Sequence, residues 1–99
     1  MDRTVNDEIT VYWRPGCPFC LSLRAGLRRS HTPYRAVNIW QDPDAAAFVR
    51  SVANGNETVP TVTVGDTFFV NPSAGQVRTA AVEAGILPPS PPRRRWFRR

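Results

Sequence analysis

The only two cysteines of the chain stand two residues apart, in Cys17-Pro18-Phe19-Cys20, where one sequence pattern gives way to another. The run before them, Glu8 to Trp13, is rich in β-branched and aromatic residues. Ile9 and Val11 alternate with Thr10 and Tyr12, the period of a strand. Arg14-Pro15-Gly16 breaks it. After the first cysteine, Pro18 suits the opening position of a helix, where its missing N–H costs nothing. From Phe19 to Ser30, Leu23 and Leu27 stack one turn apart with Leu21 beside them, and Arg24, Arg28 and Arg29 supply the wet side. A cysteine pair at a strand-to-helix junction ties both sulfurs to the first turn of a helix.

The rest of the chain repeats the alternation of patterns. Ser30-His31-Thr32-Pro33 is a stop and turn, and Tyr34 to Trp40 reads as a second strand. Asp42 caps a second helix with Pro43 in its first turn, and the helix ends near Asn54-Gly55-Asn56. Val59 to Val64 is a third strand, Gly65-Asp66 a hairpin turn, and Thr67 to Val70 a fourth strand. Asn71-Pro72-Ser73 opens a last helix, in which Ser73 and Gln76 form a capping box and Val77, Ala80, Ala81 and Ala84 give the apolar side. Gly85 closes it. The order β-α-β-α-β-β-α predicts an α/β fold. The strand-helix-strand opening makes two parallel strands, the hairpin adds an antiparallel pair, and helices cover both faces of a four-stranded mixed sheet.

Ninety-nine residues make one domain. The net charge of +5 does not belong to it. All thirteen basic residues are arginine, and Arg93, Arg94, Arg95, Arg98 and Arg99 fall in the last seven positions, which leaves eight arginines against eight carboxylates in residues 1–87. The expected division is therefore a folded domain over 1–87 and a Pro/Arg-rich, disordered tail over 88–99. That tail is a proline spacer followed by arginines around Trp96 and Phe97. A weak electrostatic contact with anionic membrane or nucleic acid is its functional reading, a solvated chain its bland one, and no specific nucleic-acid site is expected. No signal-peptide pattern or membrane span is found, so a reducing, cytoplasmic setting is expected. There a close cysteine pair is catalytic or metal-binding rather than a structural staple, and two cysteines fall short of a four-ligand zinc site. His31 is too far along the chain to complete one.

Placed before the first helix, the Cys17 sulfur lies where unpaired N–H groups and the positive end of the dipole converge. Both favour the thiolate, which is the nucleophile. Arg14 can add a permanent charge. Cys20, one turn further in, is expected to be the more buried and the less acidic, so that Cys17 attacks and Cys20 resolves. Pro18 stiffens the turn between them, and Phe19 offers an apolar surface. Thr58-Val59-Pro60 is a second marked stretch, because proline is a poor opening for a strand inside a sheet. His31, about 20 Å from Cys17 at the far end of the helix, is read as a helix cap rather than a base. Trp13 is either a wall of the thiol pocket or core packing, and Trp40 is equally open.

With Cys17-Pro18-Phe19-Cys20 after one strand and Thr58-Val59-Pro60 before another, the chain resembles the glutaredoxins and their thioredoxin-like fold over about residues 7–87. Within them it is most similar to the actinobacterial mycoredoxins, through the stretch from Asp44 to Val49, that from Asn54 to Val62, and Asn71-Pro72-Ser73-Ala74. The resemblance implies a cis Pro60, a substrate thiol lying across Val59, and thiol contacts from Arg14, Pro18, Phe19, Thr58, Val59, Pro60, Asn71 and Ser73. It also implies reduction of mixed disulfides between proteins and a small thiol, mycothiol in that subfamily. Mycothiol or a glutathione-type thiol would be co-substrate, with no tightly bound cofactor, no metal, and a monomeric enzyme. Two departures matter. Asn71-Pro72-Ser73 replaces the Gly-Gly-x-Asp stretch that clamps glutathione, and Phe19 replaces the usual tyrosine. Other readings are a redoxin that takes electrons from thioredoxin reductase to ribonucleotide reductase, an iron–sulfur carrier, and a binding module recruited by the tail.

Overall fold

A computed structural model describes residues 8–88 of the chain. Residues 89–99, and with them nearly all of the expected tail, lie outside the described residues, as do residues 1–7. The elements follow in the expected order: β1 (Ile9–Trp13), α1 (Pro18–Arg29), β2 (Arg35–Asn38), α2 (Pro43–Val52), β3 (Thr61–Val64), β4 (Thr67–Val70) and α3 (Ala74–Glu83). The sheet order is β2-β1-β3-β4. β1 runs parallel to β2, with Val11 opposite Ala36, and antiparallel to β3, with Val11 opposite Val62. β3 and β4 form the hairpin.

Period-two alternation along β1 sends its residues to two different cores. Ile9 and Val11 join Val62 and Val64 of β3 beneath Leu23 and Leu27 of α1 and Val77 and Ala81 of α3. On the opposite face, Tyr12 packs against a second cluster made of Cys17, Cys20, Ile39, Ala45, Ala46, Val49 and Val59, which Trp13 also touches from the end of the strand. That second face carries α2, so helices do cover both sides of the sheet.

Three boundaries differ from the sequence reading, each for a local reason. β2 is shorter than Tyr34–Trp40 because Asn38 folds the chain into a turn. Its Oδ1 accepts the Trp40 N–H at 2.9 Å and its carbonyl the Gln41 N–H at 3.0 Å. β3 starts at Thr61 rather than Val59, since Pro60 has no N–H to give to a ladder. Leu21 does not flank the core but is 65% exposed. The buried stripe of α1 is Cys20, Leu23 and Leu27, and position 21 lies off it.

Two helix ends use the same backbone device. At the end of α3 the Gly85 N–H reaches the Val82 carbonyl and the Ile86 N–H reaches Ala81, with Gly85 left-handed at φ 78°. At the end of α1 the His31 N–H reaches Arg28 and the Thr32 N–H reaches Leu27, with His31 itself left-handed at φ 55°. Arg78 of α3 fastens this second end, donating to the Ser30 carbonyl at 3.1 Å and to the Thr32 hydroxyl. The two helices approach so closely that a Cβ on Gly26 would lie 2.9 Å from that of Ala74.

Candidate active site

The strand-to-helix junction builds the site. Gly16 turns the chain with φ 77°, and Cys17 then becomes the N-cap of α1 in an extended conformation, with Pro18 first in the helix. The Cys17 Sγ accepts the Cys20 backbone N–H at 3.1 Å, so the sulfur does the work of an N-cap oxygen. It lies 3.7 Å from the Val59 carbonyl oxygen, which can accept a hydrogen bond from the reduced thiol. The two cysteines are joined as a disulfide, with Cα atoms 5.2 Å apart.

Burial does not separate the two sulfurs in the way expected: Cys17 is 3% exposed and Cys20 1%. The Val59 segment packs in the same cluster and covers Cys17 as well. The difference lies in their contacts. Cys17 holds the helix-terminal position, with an N–H aimed at its sulfur, whereas Cys20 sits inside the first turn. Around these buried sulfurs the rim is open: Pro18 is exposed and Phe19 is 65% exposed.

The surrounding residues fall on three sides of the pair. The first is the Thr58-Val59-Pro60 stretch, whose Val59–Pro60 peptide is cis. The Thr61 hydroxyl donates to the Thr58 carbonyl at 2.7 Å, and the Asn71 N–H donates to the Pro60 carbonyl at 2.7 Å. An ion pair between Arg50 and Glu57 at 2.6 Å ties the loop before it to α2. The second side is a groove of about 420 Å³ between α1 and the start of α3, which brings Phe19, Asn71 and Ser73 together with Leu23 and Gly26. Ser73 is already engaged there. Its hydroxyl accepts the Gln76 N–H, and the Gln76 side chain accepts the Ser73 N–H, which completes the expected capping box.

Arg14 is on the third side, away from that groove. Its guanidinium lies over the Trp40 ring, 5.9 Å from the centroid, and Nη1 donates to the Pro15 carbonyl at 3.1 Å. Nη1 would also be 4.0 Å from a Cβ on Gly16, the residue before Cys17. Among the described residues Arg14 has no carboxylate partner. Sequence reading did not find this stack, because Arg14 and Trp40 are 26 positions apart and meet only through the β1–β2 pairing. A second stack was missed because it forms only when α1 packs on the sheet. Arg24 covers Trp13 at 4.7 Å and donates from Nε to the Tyr34 hydroxyl at 3.1 Å. It thereby holds Trp13 against the cysteine cluster, and Trp13 is half-buried. His31, in contrast, acts through its backbone at the far end of α1.

A helix-capping sulfur, a partner sulfur one turn away and a carbonyl facing the first make a dithiol suited to exchange with external disulfides. The glutaredoxin family profile matches residues 9–69, more than half of the chain. The chain belongs to the glutaredoxin family. It is 40% identical over 80 residues to a glutaredoxin-named protein of Mycobacterium tuberculosis, covering 80% of this chain and 95% of that one. Mycoredoxin 1 of Corynebacterium glutamicum is 40% identical over 78 residues, 78% of this chain and 95% of its own length. Among solved structures, the NrdH-redoxin of Escherichia coli superposes with a TM-score of 0.65 at 23% identity, over 85% of this chain and 99% of that one. A glutaredoxin of Archaeoglobus fulgidus gives 0.62 at 20% identity, over 75% and 85%. These two likenesses establish the thioredoxin-like fold. The chain is thus a glutaredoxin-like thiol–disulfide oxidoreductase, of a family that acts with small thiols and protein disulfides. Among the described residues no helix is long and apolar enough to cross a membrane.

Proposed function

We propose that this glutaredoxin reduces mixed disulfides between proteins and mycothiol in the reducing cytoplasm, as a monomer, with Cys17 as nucleophile and Cys20 as resolving thiol. The Cys17 thiolate attacks the mycothiol sulfur of the mixed disulfide. The old S–S bond breaks, the protein leaves as a thiolate that takes a proton from water, and Cys17 carries mycothiol as a new disulfide. A second mycothiol thiolate then attacks that disulfide, forming oxidised mycothiol and restoring Cys17. In the alternative route, Cys20 attacks the Cys17 sulfur, releases mycothiol and leaves the Cys17–Cys20 disulfide. Electrons pass from thiols to the mixed disulfide in both routes, with no further redox partner in the step itself.

The observation that carries this reading is the Cys20 N–H aimed at the Cys17 sulfur at 3.1 Å, at the N-terminus of α1 and with Arg14 Nη1 4.0 Å from where a Cβ of the preceding Gly16 would stand. All three favour a thiolate at position 17 and none bears equally on position 20. The small thiol is argued from the 40% identity to a mycoredoxin, and from Asn71-Pro72-Ser73 at the start of α3 in place of a glutathione clamp. Phe19 and Asn71 would flank the bound disulfide from the groove side, and Thr58 and Val59 from the other.

The test is reduction of a mycothiolated protein by purified variants, with mycothiol or glutathione as the electron source. Cys17→Ser should lose more than about a thousandfold in rate, whereas Cys20→Ser should stay within about tenfold through the one-cysteine route. Activity retained in Cys17→Ser would refute the nucleophile. Fast turnover with thioredoxin reductase and no dependence on mycothiol would replace the reading by that of a redoxin.

A further inference from the structure

Trp40 is 62% exposed although a guanidinium already lies over one of its faces. Its other face is therefore open aromatic surface in the turn that follows β2. It is also held in place. Asn38 Oδ1 fixes the Trp40 N–H at 2.9 Å. The Ile39 N–H extends the ladder to the Trp13 carbonyl at 2.9 Å, which ties this segment to the strand leading into Cys17. Ile39 itself packs in the cysteine cluster. Arg14 bridges the remaining distance, from the ring to the backbone of Gly16. With one Cα step of about 3.8 Å from Gly16 to Cys17, the ring can lie no further than about 19 Å from the reactive sulfur.

We propose that the Arg14–Trp40 pair is the subsite for the non-thiol part of the small-thiol substrate, and that it selects a thiol carried on saturated, polyhydroxylated rings. The inference rests on the small-thiol reading given above and adds the residues that would choose among such thiols. The free face of Trp40 is a flat apolar surface that suits the C–H face of a sugar or cyclitol ring. Arg14 has five N–H donors and gives one of them to Pro15, which leaves the others to hydrogen-bond ring hydroxyls. A linear peptide thiol has carboxylates for the guanidinium but no ring face for the indole. Mycothiol, a cysteine conjugate of glucosamine and inositol, has the required form and spans a distance of this order.

The test compares two mixed disulfides on the same carrier peptide, one with mycothiol and one with N-acetylcysteine, which keeps the thiol and lacks the rings. In wild type the first should be preferred in kcat/KM. Trp40→Ala should lower that preference about tenfold, mostly through KM, and Trp40→Phe should keep it within about threefold. Unchanged melting of the exposed-site variants would show that they fold. A preference unmoved in Trp40→Ala overturns the subsite. An equal loss on both disulfides also overturns it, and makes Trp40 a contact for the peptide. If wild type turns over both disulfides without preference, the subsite falls while thiol exchange stands. If wild type reduces neither, the small-thiol reading itself has failed, and the subsite falls with it.

Discussion

Tyr12 stands one residue before the end of β1, with its ring 5.2 Å from that of Phe48 and tilted 42° to it. Burial pushes its phenol above the ordinary value of 10.0, and the neighbouring Asp42 adds to the rise, while Arg35 and a hydrogen bond with Thr63 pull the other way. Folding therefore favours the protonated form. Its contribution to stability is complete below pH 10 and is lost as the pH rises through the folded-state pKa. The expected outcome is a denaturation midpoint that falls more steeply above pH 10 in wild type than in Tyr12→Phe; parallel slopes would show that the phenol is not the cause. At this scale the cysteines were legible, because two identical rare residues within one helical turn need no tertiary information. Phe19, Val59 and Pro60 were legible for a similar reason, as parts of short motifs. The stacks of Arg14 on Trp40 and Arg24 on Trp13 were not. Each joins residues whose neighbourhood is set by the pairing of β1 with β2 or by the packing of α1 on the sheet. The contrast between the cysteines was only half legible. Their order along the helix separates their contacts, whereas their burial depends on the distant Val59 segment.

Helix ends show how far local chemistry reaches. The Ser73–Gln76 capping box and the Asp42 cap, whose Oδ1 accepts the Ala45 N–H at 3.1 Å, could be read from four residues each. The C-terminal end of α1 could not be read in the same way. Its left-handed residue is His31 rather than glycine, so a cationic cap was the natural expectation, yet the backbone makes the motif. The same motif at α3 has Gly85 in the equivalent place. A side chain in this conformation costs on the order of 1 kcal/mol, and glycine does not bear that cost. His31→Gly should therefore raise stability by about 0.5–1 kcal/mol in urea denaturation, with thiol exchange unchanged, since the residue is a helix length from Cys17. A loss of stability would mean that the imidazole contributes contacts that outweigh the strain.

Across the whole molecule the sheet divides two interiors with different duties. One is purely apolar and lies under α1 and α3; the other, under α2, holds both sulfurs. β1 and α1 reach both, α1 through Leu23 and Leu27 on one side and through Cys20, with its N-cap Cys17, on the other. This arrangement separates what stabilises the fold from what shapes the chemistry, and a matched pair of substitutions can expose it. Val77 and Val49 are each fully buried, one in each interior. Truncating either to alanine should cost about 1–3 kcal/mol, by the loss of buried methyl groups and the cavity left behind. Their effects on Cys17 should differ. Val49→Ala loosens the packing around the disulfide pair and should change the alkylation rate of reduced Cys17 severalfold, whereas Val77→Ala should leave it within about twofold at matched folded fraction. Equal changes in both variants would mean that the two interiors are coupled through the sheet, and that stability and reactivity are set together.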